Sequence, residues 1–300
     1  MKKIFCYIFL ISSISIFSCE DVVTIAIKDG VNQLVVDAWL TDENIEQKIR
    51  LSVSQPYFDN SKPKPALGAI VIVYNQDSIA HVFTDKNNSG VYVYTPKKNG
   101  YLKLNETTAL YIKFENEEYY SLSSLKRVPK IDSLAYEVTS LPITPTDGNP
   151  KDGFTAEFYA NDIKGSGDTY LIRSFRNDTL RFLPSQMSLA YDAGFSPGSN
   201  TDGLMFILPI RKSINQGLFR DKDKVKVELF SIPREAYFYL LQIVQESNNG
   251  GIFATPLSNI PTNIITLNTK STKKALGAFF VSKVSRFETV IDKAKAKPMK

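Results

Sequence analysis

The sequence predicts a mainly β protein, with an N-terminal Ig-like β-sandwich followed by a second β-rich domain that carries one α-helix. Short runs that alternate apolar and polar residues recur along the chain, separated by turns rich in Gly, Pro and Asn. Short strands at such regular spacing are typical of sandwiches. A single later segment has its apolar residues at helical spacing instead. With 43% hydrophobic and 22% charged residues, the composition is that of a folded globular protein.

The chain begins with a segment that predicts export. Lys2 and Lys3 precede an apolar run that ends at Cys19, which is the layout of a secretory signal. This run is too short for a membrane-spanning helix, which needs ~20 apolar residues. Residues 16–19, Ile-Phe-Ser-Cys, resemble the lipobox of bacterial lipoproteins, in which the cysteine is acylated and the chain is cut just before it.

We therefore predict a lipoprotein signal peptide over residues 1–18 and a lipid anchor on Cys19, which ties the protein to a membrane through acyl chains. An ordinary secreted protein whose signal ends in cysteine is the alternative. The chain's other cysteine, Cys6, lies inside the predicted signal. The mature protein then has no thiol for a disulfide or for a zinc site.

The formal net charge of +5 is concentrated at the two ends of the chain. Two lysines belong to the predicted signal, and four more lie in the basic tail, residues 293–300; without these six the body is near −1. A nucleic-acid-binding domain carries a basic face on its folded body. We therefore predict no nucleic-acid partner.

The first predicted domain covers residues 19–128. In residues 34–40 the even-numbered positions are apolar and form one face of a strand, while Val35, Asp37 and Trp39 form the other. Residues 69–74 are apolar on both faces, which predicts a central strand buried on both sides.

The second predicted domain covers residues 129–292 and begins after Val128-Pro129, where the strand pattern restarts. Its single helix is predicted near residues 233–247, with Pro233 at its start and a Gly pair after its end. Residues 185–203 are predicted to form a long loop, and residues 203–210 a strand.

Catalytic motifs are sparse. The only histidine, His81, would have to serve any Ser-His-Asp or Cys-His arrangement, and the chain has no G-x-S-x-G motif. A half-exposed strand histidine is the preferred interpretation.

The segment Asp162–Asp168 sets two carboxylates around a glycine turn, which suits calcium in part. Since it lacks the alternating acids of the known calcium loop, we predict a hairpin turn and no metal or cofactor.

Four aromatic residues in predicted loops are candidate contacts for a partner or ligand: Tyr57, Phe58, Tyr191 and Phe195. The alternative for each is that it covers the local core.

A pair of carboxylates for glycoside hydrolysis is neither identified nor excluded among the 31 acidic residues.

Several segments together resemble a known family, and their order along the chain is more specific than any one of them. They are QLVVDAWLTD, IRLSVSQPYFDN, ALGAIVIVY, VPKIDSL, DIKGSGDTYLIR, KVKVELFSIPREAYFYL and ALGAFFVSKVSR. The chain is similar in this order to the Bacteroidota lipoprotein family of unknown function (DUF) numbered 4249. The resemblance implies a neighbouring SusC-type TonB-dependent receptor and an accessory role in uptake.

From the signal and this resemblance we expect a non-enzymatic, lipid-anchored protein of the outer membrane, on its periplasmic or cell-surface face. It would act as the binding partner of a TonB-dependent barrel in nutrient uptake. An envelope-structural or adhesion lipoprotein is the alternative, followed by a carboxylate-based glycan or peptide hydrolase.

Overall fold

The computed structural model describes residues 30–56, 59–181, 183–251, 254–256 and 258–299. These residues form many strands and two α-helices, so the predicted mainly β fold class is confirmed. Among them, no helix is long and apolar enough to cross a membrane. All the strands and helices belong to a compact unit made of Val31–Gln55 and Ser61–Lys300.

In the first half of the described chain the regular secondary structure consists of strands. These are β1 (Leu34–Thr41), β2 (Gln47–Val53), β3 (Lys64–Pro65), β4 (Ile70–Tyr74), β5 (Ala80–Phe83), β6 (Val91–Tyr94), β7 (Thr107–Phe114) and β8 (Glu117–Ser124). The later elements are β9 (Ile131–Ser140), β10 (Asp152–Ala160), β11 (Thr169–Arg176), β12 (Thr179–Arg181), β13 (Ser188–Tyr191), α1 (Leu208–Lys212), β14 (Lys224–Ile232), α2 (Arg234–Ser247), β15 (Ile265–Thr266), β16 (Ala275–Ser282) and β17 (Val284–Val290).

The first sheet has the strand order β16-β1-β2-β3, and β6 also pairs with β2. Strand β16 runs parallel to β1, from Leu34 opposite Ala275 to Thr41 opposite Ser282. The second sheet has the order β15-β8-β7-β4-β5. Because β16 comes from beyond the predicted boundary after residue 128, the first sheet joins the beginning and the end of the described chain. The boundary itself stays a prediction, as does the Ig-like topology.

Two further sheets complete the structure. Strands β10 and β9 pair with each other, and the fourth sheet has the order β12-β11-β14-β17, with β13 paired to β11. The segment Asp162–Asp168 therefore connects strands of two different sheets, and the predicted hairpin turn is wrong. The residues of the turn cannot distinguish a hairpin from a connection between two sheets, because the chain reverses between strands in both.

Three clusters of buried apolar side chains form the core. One takes alternate residues of the first and second sheets, including Val36 and Leu110. Another lies among strands β10, β11 and β14 and includes Phe158. The third packs α2 against the fourth sheet and the outer side of β16, and it includes Tyr237 and Phe280.

The predicted helix is confirmed as α2. Pro233 lies just before its first turn, where proline's fixed φ is compatible with a helix start, and Glu235 lies in the first turn. The predicted strand over residues 203–210 is wrong, since its first half forms a turn with one isolated bridge at Met205 and Leu208–Lys212 forms the one-turn helix α1. Pro209 in the first turn of α1 favours this, because a proline there removes no helical hydrogen bond.

The apolar strand β4 pairs on one side with β7 and on the other with β5, as predicted for an interior strand. Val71 and Val73 are fully buried, but Ile70 on the opposite face is 50% exposed. The expectation of burial on both faces is therefore wrong.

Candidate functional site

A cleft of about 610 Å³ lies between the outer side of the first sheet, the fourth sheet and helix α2. The first sheet contributes Trp39 of β1 and Phe280 of β16, and the fourth sheet contributes Phe230 of β14. Helix α2 closes the third side with Tyr239 and Ile243. The volume is within the range of small-molecule sites, about 300–1,000 Å³.

The alternation of β1 explains why its outer side faces the cleft. Leu34, Val36, Ala38 and Leu40 point into the first core cluster, as predicted. Because successive side chains point to opposite faces of a strand, Val35, Asp37 and Trp39 must project from the other face. All three line the cleft.

Aromatic rings form a continuous wall of the cleft. Trp39 meets Phe280 edge-on with ring centroids 5.6 Å apart, and Phe230 at 6.5 Å. Tyr239 of α2 also meets Phe280, at 5.6 Å. The indole Nε1 of Trp39 donates a hydrogen bond to Ser282 Oγ at 2.9 Å. Edge-to-face aromatic pairs are favourable contacts, so these contacts and the hydrogen bond hold the Trp39 ring in this orientation.

One buried carboxylate, Glu228 of β14, organises the charges beside this wall. Arg173 Nη2 and Arg286 Nε each donate to it at 2.9 Å, and Lys226 Nζ lies 3.6 Å away. Burial alone would raise the pKa of Glu228, but the hydrogen bonds from Arg286 and Arg173 outweigh it and the pKa is lowered. Arg286 also binds Glu43, through Nη2 to Oε2 at 2.9 Å. Glu228 is therefore held ionised.

The rim of the cleft carries exposed ion pairs. Arg50 Nη1 lies 3.4 Å from Asp37, and Lys48 Nζ lies 3.0 Å from Glu46. All four side chains are about half exposed or more. Such pairs are screened by solvent and contribute little to stability, so they mainly set the charge pattern at the entrance.

Gly277 of β16 also lines the cleft. Its φ is +85°, and a Cβ at this position would lie 2.0 Å from the carbonyl oxygen of Val36 in the paired strand β1. Only glycine adopts this backbone conformation without strain and permits so close an approach. The shape of the cleft floor therefore depends on glycine at this position.

A second group of charged residues lies away from the cleft, at the segment Asp162–Asp168. Oxygen atoms of Asp162, Asp192 and Asp202 lie within 4.8 Å of one another, and the first two residues are buried. Carboxylate oxygens are the ligands of hard divalent cations, so these are the residues of the described chain with the composition to hold one.

The acids of this group already have protein partners. Tyr170 donates to Asp162 at 2.5 Å and the amide of Gly203 donates at 3.0 Å. Asp192 accepts two backbone amides of the segment, at 2.7 and 3.0 Å. Burial raises the pKa of Asp162. These bonds tie three loops together, and we assign the group this structural role.

The predicted site residues are spread over the chain. Cys19, Tyr57 and Phe58 lie outside the described residues. The loop position expected for Tyr191 is wrong, because it ends strand β13 within the supposed loop and is only 6% exposed, packed edge-on against Tyr237. A contact of any of these residues with a partner stays a prediction.

Phe195 is 53% exposed and lies in a loop, as expected. It lines a small apolar cavity of about 260 Å³ together with Leu241 and Val244 of α2. The hydroxyl of Tyr237 donates to the Phe195 carbonyl, which fixes this part of the loop. Its role as a partner contact also stays a prediction.

His81 lies in strand β5, as predicted, but it is 8% exposed rather than half-exposed. Its Nδ1 lies 2.9 Å from the hydroxyl of Tyr94, and its ring packs against Tyr94 and Tyr101. Burial lowers the pKa of His81, so the ring is neutral at pH 7. Aromatic neighbours on the next strand and loop produced this burial, which the local sequence does not reveal.

Sequence reasoning missed the residues of the cleft. Trp39 was placed on the face of β1 opposite to the core, and the presence of a large aromatic residue there is the signal that could have indicated a site. The fourth sheet and α2 supply the other walls, and no local pattern predicts their position.

The fold and cleft define a class of protein: a mainly β structure with an aromatic cleft walled by two sheets and a helix. The chain belongs to the family described as Domain of unknown function (DUF4249), whose match covers residues 20–288. The membership of the family numbered 4249 that the order of segments predicts is thus confirmed, while Bacteroidota origin, lipidation and the neighbouring receptor stay predictions. A search of the curated proteins found no match.

Proposed function

We propose that this protein is an exported, lipid-anchored binding protein of the outer membrane, and the accessory partner of a TonB-dependent receptor in nutrient uptake. The observation that carries the binding role is the aromatic cleft of about 610 Å³. Aromatic walls with a few fixed polar groups are the usual composition of a ligand site.

The charges of the cleft favour binding over catalysis. An acid catalyst needs a carboxyl group with a raised pKa. The pKa of Glu228 is lowered, and its oxygens accept hydrogen bonds from Arg173 and Arg286. Guanidinium groups stay protonated throughout the physiological range. This arrangement suits the electrostatic fixing of a ligand rather than proton transfer.

The membrane role rests on the signal pattern that ends at Cys19 and on the neighbouring TonB-dependent receptor that the resemblance to the family implies. A lipid tether confines the folded body to the surface where a receptor lies and raises its effective concentration there. A modest interface is then sufficient for a stable pair. The anchor puts the cleft on either the periplasmic or the cell-surface side.

The test is affinity purification of the tagged full-length protein from gently solubilised outer membranes, with Cys19→Ala as the control. We expect one TonB-dependent barrel in stoichiometric amount with the native protein. The control should leave the outer-membrane fraction and lose most of the barrel, because the tether is gone.

Recovery of the native protein alone, under conditions that preserve known barrel–lipoprotein complexes, would rule out the uptake role. An adhesion or envelope-structural role would then take its place. Retention of the Cys19→Ala protein in the membrane would refute the lipid anchor independently.

A further inference from the structure

The charges around the cleft do not balance. Arg173, Arg286 and Lys226 all surround Glu228, and Glu43 is a second acidic partner for Arg286. Three cations therefore share two carboxylates. A local excess of positive charge beside a partly desolvated surface attracts an anion more strongly than the same charge in water.

Of the two arginines in this group, Arg173 is the one with donors left over. Its Nη2 donates to Glu228, while its Nε is buried and neither Nε nor Nη1 makes a hydrogen bond within the described part of the chain. The side chain lines the cleft and is 32% exposed. Its guanidinium carbon lies 4.1 Å above the ring of Phe230, which holds the planar group in one orientation. A guanidinium fixed in this way is well suited to a carboxylate.

The aromatic wall of the cleft lies next to Arg173. Phe230 contacts both the Arg173 guanidinium and Trp39. Phe280 in turn contacts both Trp39 and Tyr239. An aromatic ring bound there would meet these rings in the edge-on and tilted arrangements that aromatic groups prefer. The anion-binding and ring-binding surfaces are thus adjacent.

We propose that the cleft binds an organic carboxylate that carries an aromatic ring, with the carboxylate at Arg173 and the ring among Trp39, Phe280 and Tyr239. Free aromatic acids and the C-terminus of a peptide ending in an aromatic residue share this chemistry. The inference deepens the proposed function and rests on its binding role.

Trp39 makes the test direct, because it is the only tryptophan of the chain and lies in the cleft wall. Its fluorescence, excited selectively in the full-length protein purified in detergent, is titrated with three probes: N-acetyl-phenylalanine, N-acetyl-phenylalanine amide and acetate. We expect a saturable change with the acid. The amide, which keeps the ring but not the charge, should bind about tenfold more weakly or worse, because it loses a charge-assisted hydrogen bond. Acetate should give no saturable change below the millimolar range.

Equal affinity for the acid and the amide would overturn the proposal, and so would the absence of a saturable response to the acid. A tripeptide, Ala-Ala-Phe with a free C-terminus, distinguishes the two sources. Tighter binding of the tripeptide than of N-acetyl-phenylalanine assigns the site to peptide ends, and weaker binding assigns it to free acids. Either result supports the ligand class.

Variants locate the carboxylate. Arg173→Gln should weaken N-acetyl-phenylalanine binding about tenfold and abolish the preference over the amide. Arg181→Gln removes an exposed arginine outside the cleft and should leave both affinities unchanged. Arg173→Lys keeps the charge without the planar fork and should retain part of the preference. A preference that persists in a folded Arg173→Gln protein would refute the role of Arg173. If that variant does not fold, the Lys variant and the probe series still decide.

The proposed uptake role is tested by a different measurement from the ligand class. Loss of barrel co-purification removes the uptake role whatever the probes show. A failed probe series with the barrel still recovered removes only the ligand class.

Discussion

The indole nitrogen of Trp39 donates a hydrogen bond to the hydroxyl of Ser282, 2.9 Å away in space and 243 positions later in the chain. The two residues lie on adjacent parallel strands, β1 and β16, of the first sheet. The bond fixes the ring that forms one wall of the cleft. It also ties the beginning of the described chain to its last strands, so the cleft exists only when the chain is fully folded.

Ser282→Ala tests this link. Ser282 is fully buried, so the substitution leaves the partly buried indole N–H without its acceptor. We expect the free energy of unfolding to fall by about 1–3 kcal/mol. Urea denaturation followed by Trp39 fluorescence measures this. Ser166→Ala, at an exposed loop position, is the matched control and should change stability by less than about 0.5 kcal/mol. Equal stability of the two variants would mean that the bond contributes nothing.

Glu228→Ala removes the shared carboxylate beside the cleft. Because the Glu228 side chain is 6% exposed and pairs with Arg173 and Arg286, its loss removes two charge-assisted hydrogen bonds and leaves Arg173, which is about one-third exposed, without its carboxylate partner. We expect a loss of about 2–3 kcal/mol in the free energy of unfolding. Glu46→Ala breaks the exposed rim pair with Lys48 and should cost no more than about 1 kcal/mol. The comparison uses chemical denaturation of both variants under one buffer condition. Similar losses for both would contradict the network described.

The single histidine gives stability a pH dependence that can be isolated. Burial lowers the pKa of His81 in the folded protein below its ordinary value of 6.5. As pH falls below 6.5, His81 binds a proton more readily in the unfolded chain than in the folded one. The contribution of His81 to the free energy of unfolding therefore falls, by at most about 1.4 kcal/mol per pH unit. The measurement is the free energy of unfolding between pH 7.5 and 5, for the native protein and for His81→Asn.

The difference between these two curves isolates His81, because all carboxylates are common to both proteins. We expect the two curves to separate steadily below pH 6.5, with the native protein losing more stability. Parallel curves across this window would show that His81 titrates in the folded protein as it does in the unfolded chain.

Gly277→Ala tests the backbone of the cleft floor. A Cβ at this position would lie 2.0 Å from the Val36 carbonyl oxygen, and φ is +85°. We expect a loss of about 3 kcal/mol or more, since backbone strain and a steric clash add. Gly250→Ala is the control, because nothing lies within 4 Å of the added Cβ. Thermal unfolding of both proteins measures the effect. A melting temperature for Gly277→Ala equal to that of the control would refute the close approach of β16 to β1.

Local patterns in the sequence predicted the individual elements well. The alternation of β1 gave the correct inward face, since a strand buried on one side must carry apolar residues at every second position. The spacing and punctuation of α2 gave its position to within one residue at its start. Errors occurred where the outcome depended on distant neighbours. Tyr191 and His81 were given loop or half-exposed positions and are buried by residues of other elements.

The sequence by itself determined the mainly β class, the faces of the strands, the helix and the family, because each of these depends on short-range periodicity or on the order of segments. Only the tertiary structure decided that β16 pairs with β1 and that Glu228 and Trp39 come to line one cleft with α2. A strand's pattern specifies which face is buried but not which strand becomes its neighbour. Pairing across 241 positions is selected by the packing of the whole chain, and the cleft is a product of that selection.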